Sequence, residues 1–280
     1  MAVAALAFAP PARAADAAAA IARGDAAWER RADGAQGGRA ARAPIAGAVA
    51  AYEEAVKAAP ANLEASWKLL RALWFEGEYV ATSQEEKQRV FGRGKSVSEN
   101  AWAAVRKRAN AKQLDSERAA ERAAALRGIP EAPPLLLWSA ADWGLWGNAF
   151  GKLAAARQGV GEKVRDWAET LIALDDRFQG GAGHRVLGRL HAEAPKIPFF
   201  TGWVDHDKAI AELEKALAIA PDELSNRFYL AEALLVHRPA AKARAVALLR
   251  EVAKAKARPS AQVEDTALSS DATRRLAALE

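Results

Sequence analysis

The chain has 280 residues, of which 51% are hydrophobic and 27% charged, and carries a formal net charge of +5. That length and apolar share exclude a globally disordered chain and allow one extended domain or two compact ones. The absence of cysteine excludes disulfides, thiolate metal sites, a cysteine nucleophile and a lipid-modified N-terminal cysteine.

Lysines and arginines alternate with acids instead of gathering into a block, so solvated helix faces are expected and no nucleic-acid partner. Alanine dominates the apolar residues and runs of β-branched and aromatic residues are scarce. The expected class is therefore all-α.

The opening "MAVAALAFAPPARAADAAAA" joins an apolar run to Ala12-Arg13-Ala14, the shape of a secretory cleavage site. Residues 1–15 are thus expected to be a signal peptide, with no positive charge ahead of the apolar run. No later run approaches the roughly 20 apolar residues that a bilayer span needs. The expected product is soluble and exported.

Residues 16–31 read as a helix, broken by the glycines of "ADGAQGGRAARAP". From Pro44 the pattern predicts a helix, a turn at Pro60-Ala61-Asn62 and a second helix. A copy of this hairpin follows at an offset of 161 residues, which pairs Ala48 with Ala209, Glu53 with Glu214, Pro60 with Pro221, Leu63 with Leu224 and Leu73 with Leu234. "VRDWAETLIALDDRF" repeats the helix-end pattern once more between them. Three such ends without a constant spacing suggest a degenerate tetratricopeptide-like solenoid of antiparallel helix hairpins.

Residues 81–127 predict further helices, and "GIPEAPP" at 128–134 is the strongest internal breaker. The expected organisation is an N-terminal helical lobe at 16–127, a C-terminal lobe at 135–255 and a helix or tail at 256–280.

In "LLLWSAADWGLWGNAFGKLAAARQG", Trp143, Trp146 and Phe150 fall on one side of a helix, while Gly144, Gly147 and Gly151 form another row. Glycine inside a helix costs about 1 kcal/mol relative to alanine, so the row calls for a reason. Either a neighbouring helix packs against it or a ligand does. If it is a pocket, the tryptophans form its walls and Asn148 and Lys152 supply polar anchors.

"LDDRFQGGAGHRVLGRLHAEAP" has neither the spacing of a phosphate-binding loop nor that of a dinucleotide fingerprint. Its glycines are expected to stop one helix by adopting positive φ before the next begins. Arg185 offers a bidentate contact to a ligand carboxylate, or a structural pair with Asp175 or Asp176. His184 and His191, seven apart, lack a third ligand placed by sequence, and Asp205 before a predicted helix reads as its cap. No metal, cofactor or catalytic group is expected.

"ADWGLWGNAFGK", the "LDDRFQGGAGHRVLGRLHAEAP" connection and "DKAIAELEKALAIAPDELSNRFYLAEALL" together resemble the T-component (TatT-like) family of TRAP transporters, over roughly residues 40–255 and most specifically 138–235. The resemblance implies an exported, helical, non-enzymatic accessory protein working with the periplasmic solute-binding component of a tripartite ATP-independent transporter. It also implies an apolar cleft for a small organic acid or lipophilic ligand. Carried to this sequence, its motif positions are Trp143, Gly147, Asn148, Gly151, Gly180, Gly181, His184, Arg185, Leu187 and Gly188. The ligand contacts expected among these and their neighbours are Trp143, Trp146, Asn148, Lys152, His184 and Arg185. Some members of the family are lipoproteins, and this sequence has no cysteine to carry the lipid. Self-association is open, and two rival readings stand: a general peptide-binding scaffold, and a helical metal-dependent enzyme.

Overall fold

The computed structural model describes residues 12–196 and 201–279, and the expected signal peptide therefore lies largely outside the described residues. Among those described there are fourteen α-helices, no strand, and no helix long and apolar enough to cross a membrane. The first six are α1 (Ala12–Glu29), α2 (Arg42–Ala58), α3 (Leu63–Tyr79), α4 (Gln84–Arg106), α5 (Ala111–Leu114) and α6 (Ala119–Leu126). After the 128–134 breaker come α7 (Ala132–Phe150), α8 (Lys152–Arg157), α9 (Val160–Leu174) and α10 (Phe178–Glu193). The remainder are α11 (His206–Ile219), α12 (Leu224–His237), α13 (Lys242–Lys254) and α14 (Gln262–Ala277). The candidate cleavage motif forms the first turn of α1, which starts four residues earlier than the sequence pattern suggests.

The helices pack mainly against their chain neighbours, with α7 also lying on α3 and α4. The hairpin at 42–79 and its copy at 206–237 form as expected, and their turns share a backbone. Ala59 (φ −137°, ψ 80°) matches Ala220 (φ −139°, ψ 82°), and Asn62 (φ −77°, ψ 106°) matches Glu223 (φ −75°, ψ 110°). Asn62 caps α3 by accepting from Ala65 N at 2.9 Å, which satisfies one of the orphan amides of a helix start. Glu223 holds the same place for α12.

Across the 128–134 breaker the apolar core is continuous. Leu63, Leu70, Ala101 and Leu126 from one side pack with Leu135, Leu136, Leu171 and Ala182 from the other. The last helix also returns to the segment after the first. Arg31 donates to Ser260 O and Glu264 Oε1, Val263 joins the core of α2 and α3, and a Cβ on Gly38 would stand 2.6 Å from Ala267 Cα.

Candidate functional site

A cavity of about 280 Å³ lies between α3, α7, α8, α9 and α10. One wall is the small-residue face of α7, with Ala140, Ala141, Gly144 and Gly147; opposite stand Val164 of α9 and Val186 and Leu190 of α10, and Trp74 of α3 also contributes. Small residues on a buried helix face normally draw a partner helix close. Here the three glycines of the row do different things. A Cβ on Gly144 would meet nothing within 4 Å, whereas one on Gly147 would touch Ala155 and Val160 at 3.3 Å, and Gly151 ends the helix at φ 92°. The row is therefore divided: Gly147 allows the close packing of a neighbouring helix, and Gly144 leaves space.

Asn148 and Lys152 line this cavity, as do Arg189, Glu193 and Glu162. Arg189 Nε donates to Glu193 Oε1 at 3.0 Å and its guanidinium lies 4.0 Å from the Tyr229 ring centroid. Burial works against the Arg189 charge, but Tyr229 and Glu193 prevail and raise its pKa. Glu162 accepts from Trp203 Nε1 at 3.4 Å. Lys152, by contrast, makes no ion pair or hydrogen bond among the described residues. The chamber is thus apolar, with an Arg189–Glu193 ion pair, a Glu162 carboxylate held by the Trp203 indole and an unpaired cation, Lys152, on its wall.

Trp143, Trp146, His184 and Arg185, all expected at a ligand, lie elsewhere. Trp143 is 2% exposed, meets the edge of Trp167 at 5.8 Å and has Lys95 and Lys163 each 4.8 Å from its ring centroid. Trp146 stacks on Phe150 at 4.7 Å. The tryptophan side of α7 therefore faces α4 and α9, and the glycine side faces the cavity.

His184 Nδ1 donates to Glu212 Oε2 at 2.5 Å, and Lys215 donates to the other oxygen at 2.8 Å. Burial alone would raise the Glu212 pKa; these bonds override it and bring it down to about 2. Arg185 NH1 donates to Asn226 Oδ1 at 2.8 Å, not to Asp175 or Asp176. Asn226 in turn donates to Ala216 O, Gly180 O and Ala220 O at 2.8, 3.1 and 3.1 Å, satisfying carbonyls at the end of α11 and the start of α10. Arg185 is a brace for this junction, and burial lowers its pKa.

The glycines of the same stretch serve that junction. Gln179, Gly180 and Gly181 all take left-handed conformations, with φ of 43°, 66° and 78°, so the expected positive φ forms, but as a kink in the first turn of α10 and not as the stop of the preceding helix: α9 already ends at Leu174, where Asp175 turns extended at φ −158°. Beyond the kink the spacing closes tightly: a Cβ on Gly183 would lie 2.9 Å from Ile172, and one on Gly188 would lie 2.6 Å from Leu213 and 3.0 Å from Ala209 O. Leu187 is buried beside them.

His191, Asp205 and the neighbouring His206 also have structural partners. His191 Nδ1 accepts from Asp205 N at 3.0 Å, and burial lowers its pKa. Asp205 caps α11 by accepting from Asp207 N and Lys208 N. His206 stacks on His237 at 3.8 Å, and no group of three or more metal-ligating side chains occurs among the described residues.

One buried group has no partner. Asp142 of α7 is fully buried against Gly94 of α4, and neither carboxylate oxygen makes a hydrogen bond. Burial raises its pKa well above the carboxylate range and the nearby Glu78 adds to the effect, so the group is held neutral.

Sequence reasoning missed Trp74, Val186, Arg189, Leu190 and Glu193. On α10 the signal was present as a helical stripe at 186, 189, 190 and 193, one position round from Arg185. No protein-family model and no curated protein matches the chain. What the fold and site define is an all-helical protein with an apolar chamber.

Proposed function

We propose that this chain is a non-catalytic binding protein that holds a small organic molecule, with an apolar body and an anionic end, between α7 and α10. The observation that carries this reading is an apolar chamber of about 280 Å³ whose wall includes an unpaired cation, Lys152. Small-molecule sites are mostly apolar concavities of roughly 300 Å³ or more with a few polar groups that fix orientation. The carboxylate-binding role expected of Arg185 passes in this reading to Lys152, with Asn148 beside it.

The wider setting rests on the sequence. The recurrence of the hairpin turns at residues 59–62 and 220–223 supports a degenerate tetratricopeptide-like solenoid. Resemblance over 138–235 supports a place beside the periplasmic solute-binding component of a TRAP transporter, with export directed by residues 1–15. That component is the partner we propose, and it delivers or receives the ligand.

The test is a titration with straight-chain and aromatic carboxylates and their neutral amides, followed through the fluorescence of Trp74. Saturable quenching that is lost in Trp74→Phe, with a preference for carboxylate over amide that Lys152→Ala abolishes, is the expected result. A folded protein whose fluorescence answers to none of these compounds would refute the reading.

A further inference from the structure

Between Gly151 and Gly159 the wall of the cavity is a separate piece. α8 has six residues and none of them is buried. Its inner side places Lys152, Ala155 and Ala156 on the chamber, while Leu153 on the outside is 66% exposed. Its main packing is on its two chain neighbours, α7 and α9.

Both ends of α8 are conformations that glycine alone adopts readily. Gly151 stands at φ 92°, ψ 165°, a region closed to other residues by the Cβ, and Gly159 stands at φ 62°, ψ 36° in the left-handed region. The flanks are fixed. Gln84 and Gln88 of α4 donate to Ala149 O at 2.5 and 3.0 Å, and Gly151 N completes the α7 ladder to Gly147 O at 2.9 Å. On the other flank Val160 is buried, and a Cβ on Gly161 would lie 3.2 Å from Trp203.

Little ties α8 itself down. Its backbone bonds, such as Ala155 N to Gly151 O and Gln158 N to Ala154 O, are internal to the turn. Lys152 and Arg157 make no hydrogen bond or ion pair among the described residues. Lys163 Nζ donates to Gln158 O at 2.8 Å from an exposed position. Inward contact comes from Ala155, whose methyl rests on Gly147 and packs at the edge of the Ala140, Trp143, Val160 and Val164 cluster. A rigid turn on two glycine pivots, weakly attached and covering a chamber, is built to move as a unit.

We infer that α8 is a hinged lid over the cavity and that the bound molecule exchanges when α8 swings about Gly151 and Gly159. The inference rests on the cavity being a binding site and adds how that site is reached. It also accounts for a helix-breaking glycine on each side of a stretch, "KLAAAR", whose own residues favour helix.

The chain has no cysteine, so a single engineered disulfide can pin the lid. A Cβ on Gly147 would lie 3.3 Å from the Ala155 Cβ, close to the roughly 3.5–4.5 Å between bridged cysteines. The double variant Gly147→Cys, Ala155→Cys is loaded with 1-anilinonaphthalene-8-sulfonate, and release is timed by stopped flow in the oxidised and reduced forms. At least tenfold slower release after oxidation, reversed by dithiothreitol, supports the lid. Equal rates in the two forms overturn it.

If the probe does not bind, the binding reading fails separately, and hydrogen exchange in the wild-type chain still judges the lid. Amides of α8 exchanging at least tenfold faster than those in the middle of α7 and α9 support a hinged unit. Amides as protected as those of α7 contradict it.

Discussion

α10 and α7 each carry a set of glycines, and the two sets have opposite consequences. On α10, Gly181, Gly183 and Gly188 are closed over by Ala216, Ile172 and Leu213, so that removing the side chain draws helices together. On α7, Gly147 is covered in the same way, but four residues separate it from Gly151 at a corner, and Gly144 opens onto a cavity. A glycine is therefore a packing device where its neighbours advance into the gap and a site-forming device where they do not. What decides is the partner helix. α11 runs along α10 and brings Leu213 into place, whereas α8 is too short to fill the space along α7.

The comparison can be broken in several places. The largest expected effect is at the α10–α11 junction, where Asn226→Ala removes donors to three carbonyls and leaves the Arg185 guanidinium without its acceptor. Stranding buried polar groups costs about 1–3 kcal/mol each, so a loss of about 3 kcal/mol is expected in urea unfolding. A loss below about 0.5 kcal/mol would mean that the junction is held by other contacts.

Gly188→Ala comes next. Its methyl would overlap Leu213 and approach Ala209 O, and overpacking of this kind costs about 1–3 kcal/mol. A neutral result would show that α11 can retreat, and the contrast with α7 would weaken.

A third prediction concerns the buried face of α7. Asp142 is protonated in the folded protein and ionised in the unfolded chain above its ordinary pKa of 3.8. The folded state therefore holds one more proton, so this group makes stability fall as pH rises from about 3.8 towards its elevated folded-state pKa. Asp142→Asn is expected to raise the midpoint of thermal unfolding at pH 7 and to flatten that part of the pH profile. An unchanged profile would show that the carboxyl has found a partner.

The smallest effect has the opposite sign to that at Gly188. Gly144→Ala adds a methyl where nothing stands within 4 Å and removes a helix-interior glycine, so it should stabilise by up to about 1 kcal/mol. Destabilisation there would mean that the gap is occupied.

Much of the fold was legible in the sequence because its signals are local. The turns at 59–62 and 220–223 are written in neighbouring residues, and the left-handed kink at 179–181 in two adjacent glycines, although α9 stops earlier, at Leu174. The orientation of α7 was not legible, because it is apolar on nearly every side and has no polar face to mark its outward direction. Its tryptophans drew attention as cavity walls, yet Trp143 is held by Trp167 and two lysines from other helices. Arg185 and Arg189 differ by one turn on α10, and what separates a brace from a cavity residue is Asn226, 41 positions away in the chain. Asn148 and Lys152, which flank the glycine row itself, do line the cavity.

The most direct measurement of the central claim is equilibrium dialysis of 1-anilinonaphthalene-8-sulfonate against the wild-type chain and Gly144→Leu, whose side chain would project into the chamber. The account predicts one saturable site in the wild type and none in the variant, with both giving the same helical circular dichroism. Equal binding by the two would place any ligand outside the space between α7 and α10 and contradict the account.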